Sequence, residues 1–167
     1  MLRLMSVACL IVTLGGPMLH AAPAAVPHVR PQSPRIAAWL ERGIAESATF
    51  RALVERLEQS DVIVYLDIQP GLRQGLAAGL TWMAATPSAR FVRASLRPDL
   101  PAREAVAMLA HELQHGLEVA AHPEVRSAAG LATLFARIGH ATAITGDHWD
   151  TQAALRTGER VRLELLG

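Results

Sequence analysis

The chain has 167 residues, enough for one domain with a single core and too few for two. Its 16 Lys and Arg against 15 Asp and Glu leave a formal net charge of +1 with no basic run, which argues against nucleic acid as the main partner. The single cysteine, Cys9, lies in the apolar N-terminal stretch, so the remaining chain can form no disulfide and offers no thiolate to a metal.

The first segment reads as a secretory signal over residues 1–24. Arg3 supplies the positive end, Leu4 to Leu14 the apolar run, and Ala22-Pro23-Ala24 or His20-Ala21-Ala22 the small-residue cleavage site. Gly15, Gly16 and Pro17 cut that run short of a bilayer span. The expected address is therefore the periplasm or the exterior, with no stable membrane anchor after cleavage. Residues 25–32 are proline-rich and read as an extended leader with His28 solvated, and residues 33–167 as the folded domain.

Ser33-Pro34 gives an N-cap and a first-turn proline, and Ile36, Trp39, Leu40 and Ile44 then form an apolar stripe. Ser47 caps a second predicted helix, with Phe50, Leu53, Val54 and Leu57 on one face. Trp39 and Phe50 are core candidates. At Asp61 the period changes to two: Val62, Val64, Leu66 and Ile68 alternate with Ile63, Tyr65 and Asp67 until Pro70-Gly71. Two more strands are predicted, Gly75 to Ala84 and Ala89 to Leu96, joined by a turn at Thr86-Pro87-Ser88 and so antiparallel. The expected fold class is α+β: N-terminal helices, a three-stranded mostly antiparallel sheet, and three C-terminal helices.

The first of these runs from Pro101 to Ala121 and contains His111-Glu112-Leu113-Gln114-His115. Residues four apart share a helix face, so both imidazoles can close on one ion at about 2.0–2.1 Å. Glu112, on the adjoining face, can serve as general base to a metal-bound water. Val106, Leu109, Leu113 and Leu117 recur at helical intervals, and the residues around the histidines are uncharged, as a helix buried beneath a cleft requires. The bland alternative is a pair of core or surface histidines with an acid between them. Pro123-Glu124 opens the next helix, which runs to Gly139 as a C-cap. A loop from His140 to Trp149 leads into a last helix from Asp150 to Leu166, with Arg156, Glu159, Arg160 and Arg162 solvated.

A catalytic zinc takes three protein ligands and keeps one position open. Glu118 lies roughly 10 Å along the axis from His111 and should overshoot, which leaves it a supporting or surface role. Asp147, His148 and Asp150 cluster at the start of the last helix. Asp150 is the first choice because it would project from a rigid element, although an aspartate there can equally be an N-cap. His148 is the second, as ligand or as oxyanion donor.

The stretches Ser47-Ala48-Thr49-Phe50, Ser60 to Tyr65, Ala110 to Glu118 and Asp150-Thr151-Gln152-Ala153-Ala154 resemble the zincin superfamily, and more narrowly small exported bacterial H-E-x-x-H proteins. The metzincin pattern fails, because Ala121 and Glu118 stand where its third histidine and its glycine would be. The resemblance implies the gluzincin or aspzincin solution, a carboxylate on a second helix, with Asp150 one methylene shorter than the glutamate expected in the narrower group. It further implies Zn²⁺ on His111, His115 and Asp150, peptide hydrolysis through a water activated by Glu112, and His148 or Tyr65 as a second oxyanion donor. It also nominates Ala89 to Leu96 as the strand that pairs with an extended peptide or protein substrate. A non-catalytic zincin-like envelope protein that binds metal or a partner is the alternative.

Overall fold

A computed structural model describes residues 26–72, 75–141 and 149–167; the predicted signal, Asp147 and His148 lie outside them. The fold is α+β, with five helices and a four-stranded mixed sheet among the described residues. None of these helices is long and apolar enough to cross a membrane.

The sheet contains β1 (Val29–Pro31), β2 (Val62–Ile68), β3 (Ala78–Ala85) and β4 (Arg90–Leu96), in the order β1-β2-β4-β3. β1 and β4 each run parallel to β2, and only β3 is antiparallel, to β4. The expectation of three mostly antiparallel strands is therefore corrected. The Thr86–Ala89 turn does make the predicted hairpin, closed by Thr86 N–H on the Ala89 carbonyl at 2.8 Å. What local turn chemistry cannot reveal is that β4 then lies parallel beside β2, or that the proline-rich segment supplies a strand. Pro31 is tolerated because β1 is an edge strand. His28 is half-buried rather than solvated, its Nδ1 lying 3.0 Å from the Leu57 carbonyl.

Val62, Val64, Leu66, Val92, Ala94 and Leu96 are fully buried along one face of the sheet, as their period of two requires. Against that face packs α3 (Ala102–Ala120), whose Val106, Leu109, Ala110 and Leu113 are also fully buried. At Gly116 the approach leaves little room for a side chain: an added Cβ would lie 3.2 Å from Val64 Cγ2 and 3.4 Å from Leu57 Cδ2. α1 (Pro34–Glu46) and α2 (Ala48–Glu58) start from Ser33 and Ser47, whose hydroxyls accept from Ile36 N–H and Phe50 N–H. Trp39 and Phe50 join the core as expected.

Two boundaries move because side-chain caps decide them. α4 (Ala128–Ile138) begins at Ser127, whose Oγ accepts from Gly130 N–H, and not at Pro123-Glu124. α5 (Gln152–Glu164) begins at Thr151, whose Oγ1 accepts from Ala154 N–H. Asp150 is therefore not the start of the helix. It pairs in a short hairpin, β5 (His140–Ala141) with β6 (Trp149–Asp150).

α5 lies along α3, and Arg162 is not simply solvated: it binds Glu104, in the first turn of α3, through Nε at 2.9 Å and Nη2 at 2.6 Å. The far end of α3 is held by Arg90, which is fully buried. Its guanidinium forks onto Asp61 (2.8 and 2.6 Å) and donates from Nη1 to the carbonyls of Val119 and His122, each at 2.7 Å. These include the orphan carbonyls that end any helix.

Candidate metal centre

His111 and His115 lie one turn apart on the buried face of α3, 8% and 5% exposed. Their rings meet edge to face, with centroids 4.8 Å apart and Nε2 atoms 3.1 Å apart. Asp150 enters from the hairpin strand that precedes α5. Its Oδ1 lies 3.2 Å from His111 Nε2 and 3.7 Å from His115 Nε2. The three donors thus form a triangle with sides of 3.1, 3.2 and 3.7 Å. Tetrahedral coordination at about 2.0–2.1 Å requires donors about 3.3 Å apart, so this group could hold a metal ion.

The triangle is braced from behind. Glu118 does not reach it; its Oε2 accepts from His115 Nδ1 at 2.8 Å, which leaves the Nε2 lone pair facing Asp150 and His111. The other oxygen, Oε1, accepts from the Thr151 hydroxyl at 2.6 Å. Thr151 N–H in turn donates to Asp150 Oδ1 at 2.9 Å. Thr151, not among the residues expected at the site, therefore caps α5 and links two of the three donors. Its signal was present: Asp150-Thr151 offers two capping residues in succession, and the second is the one that caps.

Charge favours a cation here. Burial opposes the charged imidazole of His111, but the Asp150 carboxylate beside it, with the charges of Glu112 and Glu118, outweighs this and raises its pKa. Burial likewise works against ionised Asp150, yet its hydrogen bond and charge interactions with His111 and His115 hold its pKa below the ordinary carboxylate value.

Glu112 is 2% exposed and, with His115, lines a cleft of about 470 Å³. β3 supplies one wall through Gly79 to Trp82; Leu131, Ala132 and Phe135 of α4, with Trp149, supply the other. Phe135 stands edge to face on the His115 ring, centroids 4.9 Å apart.

Two expected contributors are not brought to the site. Tyr65 follows Val64 on β2 and so points to the opposite face of the sheet from α3, where its hydroxyl meets Arg30 Nη1 at 2.9 Å. The β4 strand cannot pair with a substrate, because β2 and β3 occupy both of its edges. β3 is the edge strand bordering the cleft. No family model, curated protein or solved structure matches the chain.

Proposed function

We propose that the protein is an exported zinc-dependent peptidase acting in the periplasm or outside the cell. His111, His115 and Asp150 would hold Zn²⁺ and Glu112 would be the general base. The observation that carries this reading is the donor triangle, two nitrogens and one oxygen at tetrahedral spacing, with His115 and the neighbouring acid Glu112 lining a cleft. Nitrogen and carboxylate donors without thiolate suit a catalytic zinc.

A bound divalent ion supplies Lewis-acid polarisation of the carbonyl and lowers the pKa of water. The chain's own residues do the rest. Glu112 takes the proton of the attacking water and delivers it to the leaving amine. Glu118 keeps His115 in one tautomer, and Thr151 keeps Asp150 aimed at the histidines. The outer edge of β3 offers backbone N–H and C=O groups that an extended peptide can pair with.

Zinc analysis of the purified chain with Glu112→Gln tests this. The expected result is about one zinc per chain, lost in His111→Ala, with cleavage of an unstructured protein abolished in Glu112→Gln and zinc retained. Zinc without cleavage across a broad peptide library would leave the non-catalytic metal-binding protein. No zinc at all would remove both readings.

A further inference from the structure

We infer that the cleft beside Glu112 and His115 selects substrates with a large apolar or aromatic side chain next to the scissile bond, with Ala132 setting the depth of that pocket. The inference rests on the peptidase reading.

The walls decide the chemistry. Leu80, Trp82, Leu131, Phe135 and Trp149 present three aromatic rings and two aliphatic side chains, and among the described residues no Lys or Arg lines the cleft. A basic side chain entering it would lose its hydration against largely apolar walls, and an acidic one would also face Glu112. A ring or branched aliphatic side chain instead trades water for apolar contact, with edge-to-face packing available on the three rings. Phe135 already touches the His115 ring, so the apolar wall begins at the reacting centre and is not a remote patch.

The room comes from α4. Ala132 is exposed at the cleft and places only a methyl group where a larger residue would project inward. A phenylalanine at 132 would fill that space without disturbing the core, because the position is exposed.

Two of the three tryptophans, Trp82 and Trp149, line the cleft, so intrinsic fluorescence reports its occupancy independently of cleavage. The test is a titration of zinc-loaded Glu112→Gln with blocked dipeptides, acetyl-Phe-Leu-amide against acetyl-Asp-Asp-amide. It is paired with mapping of the bonds the wild-type chain cuts in an unstructured protein. The expected result is at least about tenfold tighter binding of Phe-Leu, cleavage beside large apolar residues by about 100-fold over acidic ones, and a shift of Ala132→Phe toward small side chains. Equal binding of the two dipeptides, or an Ala132→Phe variant with unchanged preference, overturns the inference. Indiscriminate cleavage sinks the pocket and spares the peptidase; selective binding of Phe-Leu without any cleavage spares the pocket and sinks the peptidase.

Discussion

Glu118 and Thr151 do at short range what the three donors cannot do alone. An imidazole four residues from another shares its face, but rotation about its side-chain bonds leaves the nitrogens unaimed; the Glu118 carboxylate on His115 Nδ1 removes that freedom. Replacing Glu118 with Ala should weaken zinc binding by about 10- to 100-fold with the three ligands intact, as measured by chelator competition. Thr151→Val should lose a cap as well as a link, lowering stability by about 1 kcal/mol in urea unfolding and reducing zinc affinity. Protons compete for the same atoms. Because the folded pKa of His111 is raised, its protonated form is favoured in the metal-free fold, a contribution that is lost as pH rises through that value. Zinc must displace this proton, so affinity should fall on acidification from a higher pH than an unperturbed histidine, at about 6.5, would give. Zinc affinity independent of pH through the neutral range would refute this.

Among the elements, α3 is fixed at both ends and pressed from two sides, which converts a five-residue motif into a rigid platform. Arg90 holds its C-terminal carbonyls, and Arg90→Ala should cost on the order of 3 kcal/mol, since it strips partners from buried carbonyls as well as from Asp61. The Arg90 hydrogen bond and charge depress the pKa of Asp61 despite some burial. The stability this adds is therefore complete at neutral pH and is lost as pH falls through the depressed value, a step that acid unfolding of Arg90→Ala should lack. On the other side, Gly158 lets α5 approach: a Cβ there would lie 3.2 Å from the Ala107 carbonyl oxygen and 3.4 Å from His111 Cβ. Gly158→Ala should destabilise by about 1–3 kcal/mol and loosen zinc binding, because α5 is joined to Asp150 through its cap Thr151 alone. Thermal unfolding and zinc titration of that variant check the two effects separately. These anchors join residues far apart in the chain. The apolar period of α3 and the alternation of β2 were visible, as both are local patterns. Arg90 looks like any strand arginine, and its partners lie 29 to 35 residues away.

For the molecule as a whole, sequence alone exposed the pair of histidines, the acid between them and the class of fold, because each depends on spacing within one element. Sheet order was hidden. β1 joins a proline-bearing edge to β2 from more than 30 residues away, and β4 slips between β2 and β3, choices made by burial of the whole sheet face. Asp150 was visible as a candidate, but its position in a hairpin strand followed by the Thr151 cap was not, since two adjacent residues both qualify as caps. The core itself does not depend on the donor triangle. Phe50, Leu57, Val64, Leu66, Val92 and Leu109 are fully buried by packing among the sheet and helices, whereas the donor triangle lies at the seam where α3 meets the hairpin and α5. Chelation should therefore leave a folded protein whose far-ultraviolet circular dichroism is nearly unchanged. The stability gained on adding zinc should follow mass action, about 4 kcal/mol when free zinc is a thousandfold above Kd. For a domain of this size that corresponds to a rise in Tm of roughly 10 °C. The rise should vanish in His111→Ala and Asp150→Asn and persist in Glu112→Gln, which keeps every donor of the triangle. A chain that unfolds outright on chelation would instead make the ion a structural staple, and equal Tm values with and without zinc in the wild type would mean that no ion binds at the seam.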